Sequence, residues 1–199
     1  MAIVINGSGT VTGLAVGGLP DGTVDAGTLA TNSVDSAELI DGAVDDSHMA
    51  AMAASKLSGT VATARLPAGT VLQVVSGSGG GVVASTSNSY VETGLSAAIT
   101  PSATSSKILI IVDQNLASGG AGHWTAFALN RGSATIKGTA YIQRPGGSHL
   151  HTQVAYNYLD SPNTTNATTY LTYFKATSGS ASVNDNSAPS TITLMEIAG

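Results

Sequence analysis

The chain has 199 residues, a net charge of −5 and only 10% charged residues, whereas globular proteins average about 25%. None of its seven Lys and Arg residues precedes Lys56, so the clustered cations that nucleic-acid binding requires are missing. The lack of cysteine excludes a disulfide scaffold and thiol chemistry. No stretch approaches the ~20 apolar residues of a membrane span, and the opening AIVINGSG lacks the basic region of a signal peptide.

Residues 1–20 are Gly-rich with short apolar pieces, and residues 21–67 contain a ten-residue repeat. Each repeated valine is followed five residues later by a larger apolar residue. This spacing fits neither a helix nor a strand alone, so we predict extended pieces joined to short helical ones. After the third unit, apolar residues occur at helical intervals. The residues predicted to pack inside this region are Val24, Leu29, Val34, Leu39, Val44, Met49, Met52 and Leu57.

The repeat region has too few apolar side chains to order itself as a single chain. Residues 24–49 contain seven large apolar side chains, whose full burial gives roughly 10–20 kcal/mol. Ordering the 26 backbone units of this segment costs roughly 26–50 kcal/mol. The regular spacing therefore favours ordering against other copies of the chain, and we predict a parallel homotrimeric shaft. The alternative is a disordered Ala/Ser/Thr linker.

Residues 68–199 are predicted to form an antiparallel β-sandwich or jelly roll, because short strand-like segments alternate with turns and no helical pattern occurs. In the strand 150–159, apolar and polar residues alternate. The segment KILIIV is a continuous apolar run, which predicts a strand buried on both faces. The predicted strands are 69–77, 89–100, 107–114, 123–130, 134–142, 150–159, 168–177, 181–185 and 190–198.

Two stretches carry a resemblance to a known family: SVDSAELIDGAVDDSHM (33–49) and SKLSGTVATARLPAGTVLQVV (55–75). They resemble the repeats and the KLSGT…ARLP segment of bacteriophage tail-fibre proteins, and STITLMEIAG (190–199) is similar to the last strand of their tips. The resemblance implies a mostly β homotrimer in which residues 1–20 attach to tail or baseplate proteins of the virion. Residues 21–67 would form the shaft, and residues 68–199 would form a jelly-roll-like trimeric tip.

The same resemblance implies that the protein is made in the bacterial cytoplasm and acts on the virion, where its tip recognises a host surface receptor, in particular a glycan. No nucleic-acid partner and no membrane insertion are expected. The alternative is a head or neck decoration fibre without a receptor role. A depolymerase is a third reading, but no G-x-S-x-G motif occurs and the carboxylates of the C-terminal region are not paired in sequence, so no catalytic residue is predicted.

Loops at the end of a sandwich often carry binding residues, and we therefore predict receptor contacts at Trp124, Arg144, Asn163 and Asn166. The motif Gly147-Ser-His149-Leu-His151 resembles the G-x-H-x-H of some phage fibre needles. Three copies would offer six imidazole nitrogens to a transition-metal ion on the trimer axis. Exposed histidines on the polar face of the strand are the favoured reading, and no cofactor is predicted.

Overall fold

The computed structural model describes Val4–Ile5, Val11–Thr12 and residues 58–59, 61–119, 123–143, 150–185 and 189–199. The chain divides into two units, residues 1–59 and 60–199. In the first unit, strands β1 (Val4–Ile5) and β2 (Val11–Thr12) pair antiparallel. The predicted short helix lies outside the described residues. The same is true of all the predicted shaft-packing residues, which are Val24, Leu29, Val34, Leu39, Val44, Met49, Met52 and Leu57.

In the described part of the second unit, ten strands follow a 3-10 turn at Thr63–Arg65. All nine predicted strands are present. Among the described residues, no helix has the length and apolar content required to cross a bilayer. The strands are β3 (Val71–Gly79), β4 (Val83–Ser85), β5 (Val91–Ile99), β6 (Lys107–Gly119), β7 (Trp124–Arg131), β8 (Ala134–Gln143), β9 (Leu150–Asp160), β10 (Thr168–Ala176), β11 (Ser180–Val183) and β12 (Ser190–Ile197).

These strands form two antiparallel sheets, which confirms the predicted β-sandwich. The smaller sheet has the order β5-β10-β7-β8. In the larger, six-stranded sheet the order is β3-β12-β6-β11-β4, and β9 pairs along the other edge of β6. The long strand β6 therefore organises the larger sheet, because it pairs with β12 through its first half and with β11 through its second half.

The core lies between the two sheets and is supplied by alternate residues of each strand, as the two-residue side-chain period requires. Phe127 from β7 meets Tyr156 from β9 edge-on, with ring centroids 5.1 Å apart. Gly77 permits the sheets to approach closely, because a Cβ there would collide with the carbonyl of Ser96. The largest fully buried apolar side chains are Leu95, Ile99, Ile108, Ile110, Leu116, Phe127, Leu129, Tyr170, Phe174, Ile192 and Leu194.

The prediction that the run KILIIV is buried on both faces is wrong. Ile108, Ile110 and Val112 are fully buried, but Leu109 is only half-buried and Ile111 is 41% exposed. The reason is that β6 lies in a two-layer sandwich, so only one of its faces packs against the other sheet. The alternation predicted for β9 is confirmed, since Tyr156 and Tyr158 pack on the core while Asn157 between them is exposed.

The sandwich has two distinct ends. The entry end is the one at which residues 61–70 lead into β3. Two hydrogen bonds of 2.8 Å hold this segment beside the residue that follows β12. The Gly69 amide donates to the Ala198 carbonyl, and the Ala198 amide donates to the Thr70 carbonyl. The β9–β10 connection (161–167) and the β7–β8 turn are at the same end. The far end holds residues 86–90 and 177–179 and the strand ends Gly119, Gln143 and Leu150.

A buried carboxylate fastens the entry end. Glu196 on β12 is fully buried. Its Oε1 accepts hydrogen bonds from the Ser102 amide and the Ser102 and Ser106 hydroxyls, each at 2.7 Å, and its Oε2 accepts one from Gln73 at 2.6 Å. These bonds tie β12 to β3 and to the β5–β6 connection.

Polar contacts between the sheets fix their relative position. The Gln114 amide nitrogen donates to Asn184 (3.0 Å) and Ser190 (2.8 Å), and its oxygen accepts from Thr172 of the opposite sheet (3.0 Å). Closer to the entry end, Asp160 accepts hydrogen bonds from Arg131 (2.9 Å) and from the Tyr170 hydroxyl (2.7 Å). Buried hydrogen bonds of this kind specify one arrangement of the core.

Candidate functional site

The structure does not bring the predicted receptor-contact residues together. Trp124 is the first residue of β7 and is exposed at the far end. Asn163 and Asn166 are exposed in the β9–β10 connection at the entry end, where the backbone of Asn163 adopts a positive φ of 52°. Arg144 lies outside the described residues. Among the described candidates, Trp124 is therefore the one that lies at the far end of the sandwich.

The predicted histidine pair is described in part only. His151 is exposed on β9, opposite Ala117 of β6, on the outer face of the six-stranded sheet. His149 lies outside the described residues. Within the ranges that the structure describes, no group of three His, Asp or Glu side chains is arranged to hold a metal ion. The axial metal therefore stays an untested alternative to the favoured reading of exposed histidines.

The surroundings of Trp124 form a surface that is rich in aromatic groups. In β10 the residues alternate strictly, with Tyr170, Thr172 and Phe174 turned into the core and the residues between them turned outward. The outward positions near the far end are Tyr173 and Lys175. Directly opposite residues of an antiparallel pair share a face, so these two side chains lie beside the outward residues of β5 and β7.

The floor of this surface is made of alanines. Lys175 pairs with Ala126 of β7, and Tyr173 pairs with Ala128. Both alanines are buried, although they are on the outward face of the sheet. Larger side chains therefore cover both alanines on this part of the sheet, which we call the platform, and Trp124 lies on the same outward face.

Two interactions orient the side chains on the platform. The Tyr173 hydroxyl donates to Glu92 Oε1 of β5 at 2.9 Å, and this hydrogen bond raises the pKa of the Tyr173 phenol. Lys175 Nζ lies 5.0 Å from the ring centroid of Tyr90, a cation–π contact. We call the set Tyr90, Glu92, Trp124, Tyr173 and Lys175 the aromatic surface.

The backbone at Trp124 is anchored to the neighbouring strand connection. Its carbonyl accepts hydrogen bonds from the Thr177 amide (2.9 Å) and the Thr177 hydroxyl (3.0 Å). Trp124 on β7 and Tyr90 next to β5 lie on either side of β10, so two strand spacings separate them. They are also offset by two residues along the strands, which places their α-carbons roughly 12 Å apart. The strand register places Lys175 between these two exposed rings, and the Tyr173–Glu92 pair lies two residues closer to the entry end. Exposed rings beside an amine, a phenol and a carboxylate match a ligand that has apolar ring faces and hydroxyl edges.

Sequence reasoning identified Trp124 in this surface and missed the other four residues. Two aromatic residues of β10, Tyr170 and Phe174, are buried in the core. The signal for Tyr173 was the alternation of TTYLTYFKA, in which Tyr173 has the opposite parity to Tyr170. The contact between Lys175 and Tyr90 joins residues 85 positions apart and has no local signal.

Three carboxylates of the sandwich are engaged in separate hydrogen-bond sets. Glu92 bonds Tyr173, Asp160 bonds Arg131 and Tyr170, and Glu196 bonds the serines of the β5–β6 connection. Glycosidases use two carboxyl groups that face one another across the scissile bond. Each of these three carboxylates instead has a local structural partner.

No protein-family model and no curated protein matches this sequence. Among solved structures, the chain has a distant likeness to infectious bursal virus derived T=1 particles, with a TM-score of 0.39 and 11% identity over 64% of this chain and 36% of that chain. A second likeness is to infectious bursal disease virus Gx strain, with a TM-score of 0.34 and 13% identity over 64% and 37%. The chain spans little more than a third of these proteins, so function has to be inferred from its own residues.

Proposed function

We propose that this protein is a structural fibre component of a bacteriophage virion, a homotrimer whose β-sandwich is an adhesive tip for a host surface glycan. The observation that carries the proposal is the position of the aromatic surface. It is exposed at the far end of the sandwich, while the chain arrives from the repeat region at the entry end. A tip carried on a shaft would present its far end to the cell.

A glycan is the receptor class that fits this surface best. Sugar rings stack their apolar faces on tryptophan and tyrosine, and their hydroxyls hydrogen-bond to groups such as Glu92, Tyr173 and Lys175. Three tips on one fibre and several fibres on one virion would convert weak single contacts into strong attachment. The proposal requires no covalent chemistry; Glu92, Asp160 and Glu196 each accept structural hydrogen bonds.

The test uses purified full-length protein, labelled with a fluorophore, on a panel of bacterial strains. We expect saturable binding to at least one strain and loss of that binding after its surface polysaccharide is stripped. Binding that survives stripping would contradict a glycan receptor and favour a protein receptor. Release of soluble sugar by the purified protein would favour a depolymerase instead.

A second experiment separates adhesion from decoration of the particle. Virions that lack this protein should adsorb more slowly to the strain that the purified protein binds. Normal adsorption by such virions would contradict the adhesin role and favour a head or neck fibre.

A further inference from the structure

The outer face of the six-stranded sheet carries a row of aliphatic side chains across four strands near the entry end. The register places Val74, Met195, Leu109 and Leu159 side by side on β3, β12, β6 and β9. Their neighbours along each strand point into the core, so this row points away from it. Val74 is 55% exposed and Leu159 is 50% exposed, at the two ends of the row.

The row is part of a larger patch. Val71 and Ile111 are exposed on the same face, on either side of the row. We call the set Val71, Val74, Leu109, Ile111, Leu159 and Met195 the aliphatic face. Contiguous apolar patches of this kind on a soluble protein mark surfaces that another molecule covers.

We propose that the aliphatic face is the contact between copies of this chain within the trimer, an inference that rests on the proposed function. Charge is the first argument. In a trimer, side chains at the three-fold axis meet their own equivalents, whereas side chains further out meet different residues of the next copy. A charge at the axis would therefore face like charges. The central row has no ionisable group, and its neighbours Ser76 and Thr193 are uncharged. Lys107 and Asp113, of opposite sign, lie at the two borders of the face.

Position is the second argument. Val71 is the first residue of β3, directly after the segment 61–70 that joins the sandwich to the repeat region. Copies held parallel by their repeat regions would have their entry ends close together. The aliphatic face is next to that end, so the proposed shaft would bring these faces within reach of one another.

The same sheet provides an internal contrast. Toward the far end its outward residues Asn115 and Ala117 are buried within the chain itself. Asn115 Oδ1 accepts a hydrogen bond from the Asp185 amide at 2.9 Å, which holds Asp185 beside that half of the sheet. The half near the entry end has no such cover among the described residues, and that half is the one whose outward side chains are aliphatic.

The test is a cysteine-protection experiment on the full chain, combined with native mass measurement. The chain has no cysteine, so Leu159→Cys and Val74→Cys each introduce a single thiol. Val82→Cys is the matched control, because Val82 is 59% exposed in the β3–β4 connection, outside the aliphatic face. In the trimer we expect the first two thiols to react with a maleimide about tenfold more slowly than the control thiol, since burial limits access.

The outcomes separate this inference from the proposed function. A trimer in which all three thiols react equally fast would overturn the aliphatic face as the contact and leave the fibre intact. A single-chain mass would overturn both. Protection that arises only on assembled virions would assign the face to a different virion protein, which also contradicts the inference.

Discussion

The aliphatic face and the aromatic surface are both exposed on the outside of one sandwich, yet their chemistry differs. The aliphatic face presents valine, leucine, isoleucine and methionine with no ionisable group in its central row. The aromatic surface presents rings whose polar groups are already oriented by neighbours, as in the hydrogen bond from Tyr173 to Glu92 and the contact of Lys175 with Tyr90.

This difference suits the two proposed partners, which are another copy of the chain and a glycan. Permanent contacts between subunits are apolar and resemble a divided protein core. Reversible recognition uses amphipathic aromatic groups that tolerate water in the free state and supply hydrogen bonds in the bound state. One domain can thus serve both assembly and attachment, provided that the two surfaces lie on different sheets, as they do here.

The largest expected effect comes from removing the core support that the two surfaces share. Phe127 is buried, and its ring meets Tyr156 of the opposite sheet. We expect Phe127→Ala to lower the free energy of unfolding by about 4 kcal/mol, because a large cavity would be left between the sheets. Denaturant unfolding measures the change, with Val82→Ala as the exposed control. A loss below about 1 kcal/mol would show that the surfaces do not depend on this core.

The next effect concerns the side of the molecule that carries the aliphatic face. Burial alone would raise the pKa of Glu196, but hydrogen bonds from Ser102, Gln73 and Ser106 outweigh it and lower that pKa. The ionised carboxylate therefore contributes stability above the ordinary pKa of 4.5, and this contribution is lost as the pH falls through the lowered value.

Glu196→Gln removes that contribution at every pH. We expect a loss of about 3 kcal/mol at neutral pH, because an amide places an N–H against donors that require an acceptor. We also expect the variant to lose less stability than the parent between neutral and acid pH. Unfolding midpoints measured across this range provide the check, and parallel pH profiles for the two proteins would contradict the assignment.

A smaller effect is expected for binding through the aromatic surface. Trp124→Ala should weaken attachment of the full chain to a polysaccharide-bearing strain by about 2 kcal/mol, or roughly 30-fold, as an exposed aromatic anchor is removed. The unfolding midpoint should not change. Asn163→Ala at the entry end is the matched comparison and should bind normally. If Asn163→Ala were the weaker binder, the receptor would contact the entry end.

The smallest effect should follow from Lys175→Gln, which removes the cation above Tyr90. An exposed cation–π contact contributes about 0.5–1 kcal/mol, so we expect binding to fall by only a few-fold. Lys137 is the control, because it lies 5.7 Å from the ring of Tyr158, away from the aromatic surface. Equal effects of Lys137→Gln and Lys175→Gln would show that the aromatic surface has no special role in binding.

Much of the fold could be predicted from the sequence, because alternation and turn residues are local signals. Strand β4 was missed since it has three residues beside a glycine run and is defined by its pairing with β11. The apolar run in β6 was taken as burial on both faces, whereas Leu109 and Ile111 belong to an outward face. The sequence shows that a side chain is apolar, but the assembly determines which molecule covers that side chain.

The site was less accessible than the fold. Trp124 could be named because it follows a glycine-rich stretch at a strand start, but its grouping with Tyr90, Tyr173 and Lys175 depends on pairing between strands distant in sequence. Asn163 and Asn166 met the same criterion of exposure in a loop and lie at the opposite end. Only the strand order distinguishes the two ends.

The central position of β12 has a consequence for how the protein is made. This eight-residue strand, Ser190–Ile197, lies between β3 and β6 and bonds to both. While the ribosome is still translating the preceding residues, β3 has no partner on that side and β6 has an open edge. Closure of the larger sheet therefore has to wait until residue 197 has emerged. Chains cut short before β12 would leave β3 without its partner strand and one edge of β6 open, and exposed edges of this kind promote aggregation.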